Sequence, residues 1–168
     1  MIQGLKKLNI KKAIFLGVIF LGATFLLMAL IVVYPNFFIK QLKGGNPEFV
    51  NFVKQGLKIK VDVAATPYEW TKGLMFREAM AQDLGMLFIF PNSEVRSFWM
   101  KNTLIPLDII FISKDKKIVD IKENFQPCPS SQIFCPSYNS VAESMYVVEV
   151  NAEVVSKNNI KVGDKVEF

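Results

Sequence analysis

Leu57-Lys58-Ile59-Lys60-Val61-Asp62-Val63 alternates apolar and charged residues without a break. A period of two marks a strand with one buried face, and it turns Leu57, Ile59, Val61 and Val63 inward. The pattern then changes. Thr66-Pro67-Tyr68-Glu69 offers a capping hydroxyl, a proline suited to the first helical position and a glutamate that completes a capping box, so a short helix begins there. Gly73 ends it. Gly85-Met86-Leu87-Phe88-Ile89-Phe90 is apolar throughout, too short for a helix and closed by Pro91-Asn92. It reads as a strand covered on both faces.

Residues 95–102 and 107–113 make two further strands, the second again apolar without alternation. Lys114-Asp115-Lys116 turns the chain, and residues 117–122 alternate as the hairpin partner. Residues 145–150 form another strand, Asn151 caps a short helix to about Lys157, and Gly163-Asp164 leads into a last strand over residues 165–168. Six or seven short strands with one or two short helices predict a mainly β domain, a compact sandwich or barrel.

The 168 residues divide sharply by charge. Residues 1–43 carry six lysines (Lys6, Lys7, Lys11, Lys12, Lys40, Lys43) and no acid, whereas residues 44–168 carry 14 Lys+Arg against 15 Asp+Glu. The net charge of +5 therefore belongs to the N-terminal segment. The neutral remainder lacks the basic footprint of a nucleic-acid binder.

Residues 13–39 contain no charge, and residues 13–33 alone supply 21 positions dominated by Ile, Leu, Val and Phe. About 20 such residues cross a bilayer as a helix. The preceding lysines favour a cytoplasmic N-terminus and a domain outside the cytoplasm. A cleaved signal peptide would have a shorter apolar core ending in a small-x-small site, and Ala29-Leu30-Ile31-Val32-Val33-Tyr34-Pro35 is a poor one. No cysteine lies in or just after the run, which argues against a lipoprotein signal, and a buried core helix does not suit this length. The expectation is a single-pass cell-membrane protein. Residues 1–43 form a basic cytoplasmic N-terminus and a transmembrane anchor, residues 44–56 a linker or a short helix over 47–55, and residues 57–168 the extracytoplasmic β domain.

Histidine is absent. That removes Ser-His-Asp and Cys-His nucleophilic sites and the commonest ligand of a catalytic zinc. Neither a metal nor a cofactor is expected, and acid–base chemistry would fall to carboxylates, Lys, Tyr or Cys.

Five motifs follow in order: Gly73-Leu74-Met75-Phe76-Arg77-Glu78; Gly85-Met86-Leu87-Phe88-Ile89-Phe90-Pro91; Ser97-Phe98-Trp99-Met100-Lys101-Asn102-Thr103; Ile105-Pro106-Leu107-Asp108-Ile109-Ile110-Phe111; and Pro127-Cys128 with Cys135-Pro136-Ser137-Tyr138. From Leu57 to the C-terminus the chain closely resembles the bacterial and archaeal family called domain of unknown function 192. The resemblance implies a mainly β fold, sandwich-like or barrel-like, in proteins that are often exported or anchored. It implies no activity, so no catalytic residue carries over.

The domain has two arginines, Arg77 and Arg96, and Arg77 lies in the Gly-Leu-Met-x-Arg motif. Asp108 opens an apolar strand and is expected to be partly buried, which requires a partner; Arg77 or Lys101 could supply it. Along residues 95–102 the alternation sends Phe98, Met100 and Asn102 one way and Trp99 and Lys101 the other, an aromatic plate beside a cation. The functional reading is a shallow ligand pocket lined by Arg77, Trp99, Lys101, Asn102, Asp108 and Tyr138. The structural alternative is an ion pair, a core tryptophan and a turn at Asn102-Thr103, with Met75, Met86 and Met100 as packing.

Three function classes remain open. The first is a binding module for an envelope polymer, a small anionic ligand or a membrane-protein partner. The second is a hydrolase-like envelope enzyme using Asp108 with Lys101 or Arg77. The third is a purely structural envelope protein. The binding module is favoured because no nucleophile–base pair and no metal set is visible.

Cys128 and Cys135 lie in Pro127-Cys128-Pro129-Ser130-Ser131-Gln132-Ile133-Phe134-Cys135-Pro136. An even cysteine count outside the cytoplasm favours a disulfide. Two thiols without histidine make a poor zinc site, and the spacing is not Cys-x-x-Cys. The staple would hold Tyr138 against the Trp99 face; the alternative is two free buried thiols.

Overall fold

The computed structural model describes residues 46–168, so the expected anchor lies outside the described residues. Among the described residues no helix is long and apolar enough to cross a membrane. Along the chain run β1 (Phe49–Phe52), β2 (Leu57–Ala64), α1 (Pro67–Lys72), β3 (Leu84–Glu94), β4 (Ser97–Trp99), β5 (Leu107–Ile112), β6 (Ile118–Phe125), β7 (Ser137–Asn139), β8 (Ser144–Asn151), α2 (Val154–Asn158) and β9 (Val166–Glu167).

Seven strands build one sheet in the order β6-β5-β8-β3-β2-β1-β9, and β4 pairs with β7 in a small second sheet. The β2–β3 pair is parallel, which demands a crossover, and α1 is that crossover. The other pairs are antiparallel. The two edges of the large sheet meet at one end, where Lys117 bridges Lys165 and Val166 N–H donates to Lys116 O. Among the described residues the sheet is therefore curled into a half-barrel with two short helices, not a sandwich.

The capping box of α1 is complete: Thr66 Oγ1 accepts from Glu69 N–H, and the Glu69 carboxylate accepts from Thr66 N–H. Trp70 Nε1 then donates to Ala64 O and Ile89 O, pinning the helix to the strands on either side of it.

Alternation along the strands sorts the core onto two faces of the sheet. One face holds Val50, Ile59, Val61, Leu87, Ile110, Val148 and Val150 under α2. The other holds Phe88, Phe98, Met100, Ile109, Phe111 and Val147 under β4 and β7. Strand β5 is buried at all six positions, as an apolar run without alternation requires. Gly85 marks a close approach: a Cβ there would stand 2.6 Å from Glu149 O.

Three expectations need correction. The linker contains β1, a sheet strand: Phe49-Val50-Asn51-Phe52 pairs with β2 and β9. The strand expected over residues 95–102 shrinks to three residues, because β4 leaves the main sheet for β7. Asn151 does not cap α2; Glu153 precedes it with a left-handed backbone, and Asn151 Nδ2 donates to Met80 O and Ala81 O.

Candidate ligand-binding site

Three acids are buried among the described residues: Asp108, Asp120 and Glu149. A buried carboxyl must find partners, and two of the three do. Asp108 Oδ1 accepts from Asn124 N–H and Oδ2 from Val155 N–H, which ties β5 to the end of β6 and to the start of α2. Asp120 accepts from Tyr138 Oη and Val141 N–H.

Glu149 is different: its Oε2 is buried without a hydrogen-bond partner. Strand β8 places it opposite Met86 and Ile109, on the Phe88–Phe98 face of the sheet. Burial pushes its carboxyl up from an ordinary 4.5 to about 8, through lost hydration. At neutral pH it keeps its proton and can both donate and accept.

Glu149 forms the inner end of a slot with about 20 Å³ of room, enough for one water-sized group. Lys72, Gly73, Thr103, Trp99 and Lys101 also line it. Gly73 leaves it open, since a Cβ there would stand 3.9 Å from Glu149 Oε2 and 3.4 Å from the Phe88 ring, and its φ of +44° suits glycine.

At the rim the alternation along β4 is visible: Phe98 and Met100 are buried, whereas Trp99 is 45% exposed and Lys101 is exposed. Lys101 Nζ lies 5.5 Å from the centre of the Trp99 ring, within range of a cation–π contact. The Cys128–Cys135 disulfide is formed. It steadies this rim through the backbone, because Lys101 bridges Cys128, Cys128 N–H donates to Met100 O, and Asn102 N–H donates to Cys128 O.

The remaining sequence-predicted residues scatter. Asp108 meets neither Arg77 nor Lys101; backbone N–H groups hold it, and its strand turns it to the α2 face beside Val150. Arg77 pairs instead with Asp62 at 2.8 Å. It borders an open depression of about 530 Å³ that shares Lys72, Gly73 and Met75 with the slot. Tyr138 does not join the Trp99 face. It stands opposite Phe98, stacks near Phe111 and bonds Asp120, while Ser137 faces Trp99. Asn102 is a turn residue, at φ +57°, whose carbonyl accepts from Phe76 N–H.

Glu149 was missed in the sequence, although the signal was there. An acid inside Met145-Tyr146-Val147-Val148-Glu149-Val150 is as conspicuous as Asp108 in its own apolar strand.

The profile of the family DUF192, described as Uncharacterized ACR, matches residues 50–168. No curated protein matches the chain. Among solved structures, a protein of unknown function from Novosphingobium aromaticivorans DSM 12444 shares 33% identity at a TM-score of 0.64, covering 71% of this chain and 82% of that one. A protein from Sinorhizobium meliloti 1021, described as a candidate transcription regulator, shares 35% identity at a TM-score of 0.63, covering 71% of this chain and 89% of that one.

Proposed function

Because the chain belongs to the uncharacterised family DUF192, membership brings a fold without an activity, and we propose the function from the site: a small-ligand-binding module of the cell envelope. Its ligand enters the Glu149 slot past Trp99 and Lys101. The anchor expected over residues 1–43 holds the domain outside the cytoplasm.

One observation carries this reading, the unpartnered Glu149 Oε2. An orphaned buried polar atom costs about 1–3 kcal/mol, and the other two buried acids among the described residues have hydrogen-bond donors on both carboxyl oxygens. The same carboxyl side chain lines the slot, which gives a partner from outside a way to it.

The hydrolase alternative loses its residues, since Asp108 is locked under α2 away from Lys101 and Arg77. Most glycoside hydrolases also need two carboxyls flanking the scissile bond, and among the described residues Glu149 is the only acid on the slot. The role in the Sinorhizobium protein's description would call for a basic face, which a domain with 14 Lys+Arg against 15 Asp+Glu does not favour.

The test is to purify the full chain from membranes in detergent, release bound compounds by denaturation and identify them by mass spectrometry. Wild type should yield a compound that Trp99→Ala and Glu149→Leu do not. The same compounds from all three proteins would overturn the reading.

A further inference from the structure

The slot is small, mixed in polarity and rimmed by an aromatic ring, and each property narrows what can occupy it. With about 20 Å³ of room it accepts one water-sized group. A whole phosphate, sulfate or carboxylate is larger than that and would leave charged oxygens outside the slot. A primary ammonium is small enough, but it would enter past Lys72 and Lys101 toward a single carboxyl. That carboxyl holds its proton at neutral pH and offers the cation no charge. A neutral hydroxyl meets neither obstacle. It is at once donor and acceptor, so it pairs with Glu149 whether the carboxyl is protonated or not.

The rim adds a second requirement. Trp99 is half-exposed, and its apolar ring would cover a flat, C–H-rich face, while the exposed Lys101 ammonium beside it can donate to further oxygens. A group of hydroxyls carried on a ring with an apolar face is a sugar.

We infer that the ligand is a saccharide, with one hydroxyl seated in the slot against the Glu149 carboxyl and the pyranose face laid on Trp99. This inference rests on the proposed binding role and names its ligand class. The shared chemistry fits a free sugar or an exposed edge of a glycan polymer, and ligand length separates them.

The experiment titrates the full chain in detergent micelles, following the Trp70 indole N–H by NMR, because Trp70 also lines the slot and remains in every variant. The probes are methyl glucoside and cellotriose, N-acetylglucosamine and its trimer, inorganic phosphate, and 1,4-diaminobutane. At least one saccharide should bind with a millimolar constant, weakened about tenfold or more by Trp99→Ala and by Glu149→Leu. Glu149→Gln, which keeps a donor and an acceptor, should bind within about threefold of wild type. Trp99 is on the surface, so its variant keeps the fold, and an unchanged far-ultraviolet spectrum verifies this for all three. Saccharide binding should persist across about pH 6 to pH 9, because a hydroxyl pairs with either form of Glu149. Tighter binding of the trimer than of its monomer assigns a polymer edge; equal binding assigns a free sugar.

Diaminobutane binding that strengthens as pH rises, or phosphate binding that weakens, would overturn the saccharide and leave the slot as a site. Saccharide binding indifferent to Trp99→Ala would also overturn it. Silence from every probe would overturn both the saccharide and the binding role.

Discussion

Replacing Glu149 by Gln should stabilise the protein, and by an amount that depends on pH. The Glu149 carboxyl titrates near 8 in the folded state and near its ordinary 4.5 in the unfolded chain. Below the lower value both states hold the proton and nothing is lost. Between the two, the unfolded chain releases its proton while the folded protein keeps it, so stability falls as pH rises by about 1.4 kcal/mol per unit. Above the upper value the loss levels off at about 5 kcal/mol. Glutamine cannot ionise and escapes the whole effect. The variant should therefore match wild type near pH 4, exceed it by about 3 kcal/mol at pH 7 and by about 5 kcal/mol near pH 9. Urea unfolding followed by tryptophan fluorescence measures both proteins across that range. Other titrating groups, including Lys116, whose ammonium is pulled down to about 8 by burial, are common to both and cancel in the difference. A constant difference between the two proteins would refute the reasoning. It would mean that Glu149 ionises freely, paired by Lys72 or Lys101 across the slot.

Asp108→Ala should cost about 3–5 kcal/mol, because it strands the N–H groups of Asn124 and Val155, and Asp108→Asn should cost about half as much; urea midpoints at an unchanged denaturant slope check both. Losing the Cys128–Cys135 bridge through a double serine variant should cost about 2–3 kcal/mol by the chain-entropy account. Thiol labelling of denatured, never-reduced protein should find no free cysteine, and two labelled per chain would exclude the bridge. Protease added to intact spheroplasts should digest residues 57–168, and protection until the membrane is opened would reverse the proposed orientation.

What could be read in the sequence was whatever depends on near neighbours. The alternation over Leu57 to Val63 put Ile59 and Val61 in the core, and the Thr66–Glu69 pair formed the capping box, because both are settled within one turn or one pleat. The split between Phe98 and Trp99 follows from the same pleat. The cysteine count in an expected oxidising setting pointed to the disulfide.

Pairing was beyond that reach. Phe49–Phe52 is too short to announce itself and becomes a strand because β2 and β9 flank it. Strand β4 leaves the main sheet because its partner, Ser137–Asn139, arrives almost 40 residues later. Asp108 carried a legible demand for a partner, yet the sequence favoured the nearest charges. The fold supplied backbone N–H groups from positions 16 and 47 residues away. Periodicity names the face a side chain turns to. What covers that face is a sum over remote segments, and that sum shields Asp108 with two donors while leaving Glu149 Oε2 with none.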